Sequence, residues 1–390
     1  MTKPSSEPSR AGTAARLSLF YAAVFSVVGI QLPFFPLWLQ SRGMGPAEIG
    51  VLLSSVSFVR VITTPAIGSL ADRIGERRRP MLVLTSLALL SYCAYWVADG
   101  FWTLLLIGIC AGVSYAAAMP LGETVTMAAV SRHGLDYGRL RLWGSLSFIA
   151  CSAGGGWLLD GRPIGLVIGM LVATVAAMCL SCVAMPEPPL VPAPARSLAV
   201  RRILGDSRFV LLLASCGALQ ASHAVYYALA TVDWKASGFN ELTIGLLSAE
   251  AVAAEVVLFA LGAALLRRLG PTGLLTLSGA AGVLRWLIMS TTSDLVPLAL
   301  AQVLHAFTFG AAHLGAMHIV QRLAPPGFAA SAQSLYSAIG MGLTMGAALL
   351  ASGPLYAAFG SGAYIVMAGL SFAGLLGSLM LARVPAASAR

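Results

Sequence analysis

The sequence predicts an all-α membrane protein of twelve transmembrane helices arranged in two six-helix halves. Three observations lead there. Hydrophobic residues make up 58% of the chain and charged residues only 10%, against roughly 25% charged in a soluble domain. Apolar runs recur from end to end at about 20 residues, the length that crosses a hydrocarbon core about 30 Å thick. Helices are the form in which such runs satisfy their own backbone groups in lipid. One Pro-rich stretch near the middle divides the runs six plus six.

Taken in order, the spans fall near 17–39, 47–70, 80–98, 102–130, 141–159, 163–184, 208–233, 243–266, 272–291, 295–320, 328–351 and 362–382. Connections are short except at 185–207, where Pro186, Pro188, Pro189, Pro192 and Pro194 precede Arg196, Arg201 and Arg202. Such composition makes a semi-extended linker. The expected organisation is a tail (1–16), a first half (17–184), the linker (185–207), a second half (208–383) and a short tail (384–390).

Of the 24 Lys and Arg, Arg42, Arg162 and Lys235 fall in connections assigned outside, and Arg60 and Arg285 fall within spans. The others lie in segments assigned to the cytoplasm. This is the positive-inside pattern, and it places both tails in the cytoplasm. The pI near 9.6 therefore reads as an orientation signal with anionic lipid as partner, not as a nucleic-acid footprint. The first apolar run is too long for a signal-peptide core. Insertion in the inner (plasma) membrane is expected. The six cysteines lie in apolar segments and read as small buried hydrophobes, without disulfides or metal. Glycines 154–156, 340, 342 and 346 would let helices approach closely. Phe34, Phe35 and Trp38 near the outer interface suggest an aromatic belt.

A charge inside a bilayer is expensive, so an intramembrane acid or base is a functional hypothesis by default. Glu123 lies in an apolar run, and Arg141 follows at the start of the next, across LDYGRLRLWG (135–144). The two belong to successive helices joined by a short polar turn, either as a structural staple or as a substrate site. A guanidinium fork can hold a carboxylate bidentately. Arg139 reads as a helix-end base, and Trp143 as a packing or stacking surface. Glu255 and Arg285 lie near mid-bilayer on adjacent spans, with His305, and further along His313, on the span after. A carboxyl buried in low dielectric favours its neutral form and can trade a proton. This set reads as proton coupling or as a static ion pair of Glu255 with Arg285. Gln220, His223 and Tyr227 share one helical face and could line a cavity, or His223 could make an interhelical hydrogen bond. Arg60 would pair with an acid or attract an anion. His318 reads as interfacial, and Asp233 as a gate residue or an interfacial charge. The chain has no P-loop, HExxH or GxSxG pattern, so no enzyme activity, cofactor or metal is expected, and an ion gradient is the expected energy source.

The cytoplasmic loop GSLADRIGERRR (68–79) holds Gly68, Asp72, Arg73, Gly75 and Arg77, with Gly68 and Gly75 suited to tight packing and a tight turn and Asp72 beside several arginines. AALLRRLG (263–270) is a worn copy in the second half: Arg268 and Gly270 match Arg73 and Gly75, while Arg267 replaces Asp72. Corresponding loops in two halves are the mark of a repeated transporter design with a mid-membrane site. The loop and the six-plus-six plan resemble the major facilitator superfamily. The stretch 135–144 is similar to the branch containing lactose permease and the nucleoside and phenylpropionate symporters. The 3-phenylpropionate/proton symporters are resembled over nearly the whole chain, at LPFFPLWLQSRG (32–43), SHAVYYA (222–228), AAEVVLF (253–259), RWLIM (285–289) and LHAFTFGAAHL (304–314).

The resemblance implies a monomeric secondary transporter. Its substrate site would hold Glu123 and Arg141, and Arg285 and His305 would match its proton-coupling cluster; the residues themselves add His223 and Tyr227 as candidate substrate contacts and Glu255 as the candidate proton carrier. One departure matters. Where lactose permease has its essential carboxylate, one turn after the histidine, this chain has Thr308. The proton carrier must then sit elsewhere, with Glu255 the candidate and Glu250 the reserve. The expected function is proton-coupled import of a small molecule such as an aromatic monocarboxylate. A sugar or nucleoside symporter and a drug/proton antiporter are the alternatives. A non-transporting sensor would be expected to add a soluble domain.

Overall fold

The computed structural model describes residues 9–186, 200–325 and 328–384. Most of the proline-rich linker (187–199) and the outer parts of both tails (1–8 and 385–390) lie outside the described residues. Every regular element described is helical.

The first six helices are α1 (Arg10–Ser41), α2 (Pro46–Ile74), α3 (Arg78–Ala94), α4 (Phe101–His133), α5 (Tyr137–Leu159) and α6 (Leu166–Ala184). Their ends are set by local chemistry. The Glu48 carboxylate returns to the Gly45 amide at 2.8 Å and starts α2, satisfying a donor that the helix leaves free. Asp136 caps α5 by accepting from the Arg139 amide at 3.1 Å, so α5 begins at Tyr137 rather than at 141. Arg141 therefore lies one turn inside its helix. Gly75, at φ 74, ends α2 in a conformation that glycine reaches without steric cost.

The later helices are α7 (Val200–Leu204), α8 (Ser207–Ala221), α9 (Ala224–Ala236), α10 (Glu241–Ala260), α11 (Gly262–Thr291), α12 (Leu295–Val303), α13 (Ala312–Leu323), α14 (Ala329–Leu335), α15 (Thr344–Phe359) and α16 (Ala363–Arg383). Several predicted spans are not simple rods. The seventh is broken at Ser222 and His223 between α8 and α9. The tenth widens into a π turn at Ala306–Ala311, and the eleventh does so at Tyr336–Leu343. Gly270, at φ 68 and ψ 171, interrupts α11 and divides the eighth predicted span from the ninth. Gly75 and Gly270 thus take positive φ at matching places in the two loop copies. Ten helical stretches are long and apolar enough to cross a membrane. One of these, Ser331–Arg383, contains both α15 and α16, and α3, at 17 residues, falls just short of that length.

Two further expectations change. Gly68 has no neighbour within 4 Å of a Cβ placed on it, so it serves no tight contact. Phe34, Phe35 and Trp38 are not a lipid-facing belt. They are buried, and Phe35 and Trp38 stack at 5.7 Å, each edge-on to Tyr95. The run is aromatic because the core of the first bundle is built there. Cys179 and Cys182 have Cys-x-x-Cys spacing inside α6, yet both are free, and no metal-holding group of His, Cys, Asp or Glu gathers among the described residues.

The first six helices meet the later ones chiefly through α5 against α10 and α2 against α15. These seams are tightest at one end of the bundle. A Cβ on Gly156 would stand 2.5 Å from the Glu241 carbonyl oxygen, and one on Gly50 would stand 2.8 Å from that of Leu349. Gly245 and Gly353 face backbone just as closely. The Asn240 amide also donates across the α5–α10 seam to Asp160 at 3.4 Å. The other end of the bundle carries the Arg77–Arg79 and Arg267–Arg268 loops. There, Asp72 pairs with Arg77, and Glu76 with Arg79 at 3.0 Å.

Candidate functional site

The two charge groups singled out in the sequence face one space between the first six helices and the rest. On the first side, α4 supplies Glu123 and α5 supplies Arg141. Arg141 Nε stands 3.7 Å from Glu123 Oε1, with the two side chains 33% and 28% exposed. The Tyr137 hydroxyl donates to the same carboxylate oxygen at 3.1 Å. The guanidinium lies over Phe25 at 4.1 Å and Tyr21 at 5.5 Å. The acid and base therefore pair, yet remain open to water. Arg139 instead lies beside Asp136 at 3.6 Å and is exposed, and Trp143 is exposed as well.

The second side is a buried polar chain with a defined donor order. Arg285 of α11 is fully enclosed. Its guanidinium reaches His305 Nδ1 at 2.9 Å, Thr308 Oγ1 at 3.1 Å and Gln302 Oε1 at 3.1 Å. Arginine can only donate, so His305 Nδ1 accepts and its proton sits on Nε2. That Nε2 points to Glu255 Oε2 at 3.8 Å. His223 Nδ1 lies 3.1 Å from the Leu219 carbonyl oxygen, which can only accept. His223 Nε2 then accepts from the Thr308 hydroxyl at 3.0 Å. Each ring carries one proton in this arrangement. The order runs from Glu255 through His305, Arg285 and Thr308 to His223.

The helices are shaped for this chain. The π turn begins just after His305, and the extra residue per turn lets His305 and Thr308 both reach Arg285. Such turns recur at functional sites. Gly310 packs beside the acid: a Cβ there would press on Leu258 Cδ2 at 3.1 Å and lie in ordinary contact with Glu255 Cγ at 3.5 Å. Arg285 is held between the rings of Tyr226 at 4.4 Å and Trp286 at 4.5 Å. Tyr226 also donates to Gln302 at 2.9 Å. Ring faces contribute about 2 kcal/mol to a desolvated cation, which helps offset the burial of this charge.

The sequence-based roles change in three respects. Arg285 is not in direct contact with Glu255; His305 stands between them, and no carboxylate touches Arg285 among the described residues. His223 is enclosed, with both nitrogens engaged, so it belongs to the polar chain instead of facing open space. It stacks on Tyr227 at 5.5 Å, while Gln220 is buried nearby. Thr308 appeared only as a missing acid, whereas here it joins His223 to Arg285. Its neighbour Gln302 showed no signal in the sequence at all. α5, which carries Arg141, packs against α10, which carries Glu255, so the two sides meet as one unit. Asp233 lies apart from this unit and accepts from the Tyr356 hydroxyl at 2.7 Å.

Comparison with known proteins agrees with this architecture. A family model described as the MFS_1 like family matches residues 14–366. The chain is 32% identical over 363 residues to an Escherichia coli (strain K12) protein named "Probable 3-phenylpropionic acid transporter", covering 90% of this chain and 93% of that one. It is 27% identical to the maltose permease of Geobacillus stearothermophilus, covering 95% and 96%. A crystal structure of the nucleoside transporter NupG superposes with a TM-score of 0.83 at 16% identity, covering 96% of this chain and 100% of that chain. The loop repeat, the helical bundle and these likenesses converge: the chain belongs to the MFS_1 like family of the major facilitator superfamily and is a multi-pass membrane transporter, not an enzyme.

Proposed function

We propose that this transporter is a proton-coupled symporter that imports a small organic acid, with an aromatic monocarboxylate as the best candidate, across the inner membrane. The observation that carries the reading is the placement of Glu255. It is a partly enclosed acid at the open end of a buried histidine–arginine chain, and it faces Arg141 across the cavity. The name of the E. coli relative supports the substrate class. We take the arginine-rich end of the bundle, with both tails, as cytoplasmic by the positive-inside rule. The glycine-sealed end is then outside, and the conformation is open inward. The halves 17–184 and 208–383 act as the two moving bodies, joined by the 185–207 linker, in a monomer.

The proton acts by changing the attraction between the halves. A charged Glu255 attracts Arg141 and favours closing the cytoplasmic side. A protonated Glu255 loses that attraction and also its hold on the His305 Nε2–H, so the inward-open form is favoured. Proton entry from outside therefore accompanies the inward swing, and proton release resets the cycle. Glu123 and Arg141 contact the substrate, with Tyr227 on the facing wall. Glu250, the reserve carrier, has no comparable partner chain among the described residues and takes no part.

The test is uptake of labelled 3-phenylpropionate into proteoliposomes with and without an inward proton gradient, beside protein-free vesicles. Gradient-driven accumulation is expected in the wild type. Glu255→Gln should abolish gradient-driven accumulation while keeping substrate exchange. A Glu255→Gln protein that still concentrates substrate with the gradient would remove the coupling role. A second reading, a sugar or nucleoside substrate, is favoured by the internally neutralised Glu123–Arg141 pair, which can grip hydroxyls; maltose and uridine belong in the same assay.

A further inference from the structure

Three arginines lie inside the spans or at their cavity face, and two of them are already engaged. Arg141 has Glu123 and two ring faces, and Arg285 is enclosed in the polar chain. Arg60 is different. It is the fifteenth residue of α2, far from both ends, yet its side chain is exposed. It has no hydrogen-bond or ion-pair partner among the described residues, and so does not pair with an acid. Its exposure is either to lipid or to the cavity.

The faces of α2 decide between these. A Cβ on Gly112 of α4 would meet Val56, so Val56 marks the side against α4. Cβ atoms on Gly346 and Gly342 would meet Phe58 and Val61, which mark the roughly opposite side, against the eleventh span. Two sides remain. One carries Val59 and Ile62, and Ile62 is 75% exposed, as suits lipid. The other carries Ser57, Arg60 and Thr64 at i, i+3 and i+7, a polar stripe at helical spacing. Tyr115 of α4 interacts electrostatically with both Arg60 and Arg141. It also donates to the Val24 carbonyl of α1 at 2.9 Å. Arg60 therefore points inward, to the same cavity as Arg141.

We propose that Arg60 is the anion-binding residue of the transport cavity and takes the carboxylate, or another singly charged acidic group, of the substrate, with Ser57 and Thr64 beside it. This rests on the reading of that cavity as the substrate site. A free guanidinium in a partly desolvated cleft holds a carboxylate bidentately, and it does so without first breaking an internal ion pair, as Arg141 must. The substrate's carboxylate and Arg141 are then separate features of the site, which leaves the Glu123–Arg141 pair to contact its neutral part.

Two measurements test this. In a full-length chain with its native cysteines replaced by alanine, Ser57→Cys is labelled with an anionic and a cationic methanethiosulfonate. Any change in thiol reactivity affects both reagents and cancels in their ratio. The anionic reagent should react faster, and Arg60→Gln should lower the ratio about tenfold, with Arg60→Lys retaining it. An unchanged ratio would overturn the proposal. In parallel, binding of 3-phenylpropionate and its uncharged amide is measured calorimetrically on the otherwise native chain. Arg60→Gln should weaken the acid about tenfold or more and leave the amide unchanged. Equal binding of the acid by wild type and Arg60→Gln would overturn the carboxylate role. If the wild type binds neither compound, the aromatic-acid reading fails, while the labelling ratio still decides Arg60.

Discussion

Thr308 occupies a place where charge would be simple and neutrality is harder to satisfy. Its hydroxyl accepts from Arg285 and donates to His223, so a single small side chain serves two groups that water cannot reach. Thr308→Val keeps the shape and removes both bonds. Leaving a buried donor and acceptor unpaired costs about 1–3 kcal/mol, so the variant should melt earlier in detergent and lose transport, whereas Thr308→Ser should retain both. Glu123, Arg141, Glu255, Arg285 and His305 were all legible in the sequence because a charge inside an apolar run announces itself. Thr308 and Gln302 were not, since neutral polar residues are common in spans and acquire meaning only from what folds against them. Arg60 was visible as a charge, but its freedom from partners was not. The direct Glu255–Arg285 pair was a reasonable inference from two adjacent spans that the π turn displaces, by carrying His305 between them.

At the scale of helices, the apolar runs gave the helical class and the order of the spans because lipid imposes length. Their interruptions were hidden. The break at Ser222–His223 and the two π turns have no proline to mark them. Gly75 and Gly270 could be matched as loop glycines from sequence, since a turn there needs positive φ. Gly156 and Gly245 could not be matched to each other, because nothing along the chain says which helices will meet. They now define the α5–α10 seam. Gly245→Val would drive a side chain into the Ser152 backbone, where packed interiors yield little. The expected result is a shift toward the outward-open form, read as faster labelling from the external side of a cysteine placed at Leu242, which lies against Gly156 in the seam.

For the whole molecule, the two seams and the shared cavity describe a body that closes at one end while it opens at the other. Asp160 and Asn240 touch across the halves only at the sealed end. A short bismaleimide bridge between Asp160→Cys and Asn240→Cys should therefore trap the inward-open form: uptake should stop, while binding from the cytoplasmic face persists. Uncrosslinked protein carrying the same two substitutions should transport normally. If the bridged protein still accumulates substrate, opening at that end is not part of the cycle.

The sealed end also has an electrical consequence. Its closure is made by backbone lying against backbone at Gly50, Gly156, Gly245 and Gly353, which leaves little room for a file of water molecules and hence no wire along which protons could hop. A resting transporter sealed in this way is expected to draw no current, which recording from a planar bilayer checks. Under the proton coupling proposed above, the gradient would be spent one turnover at a time, with the smallest residue in the alphabet as the insulator.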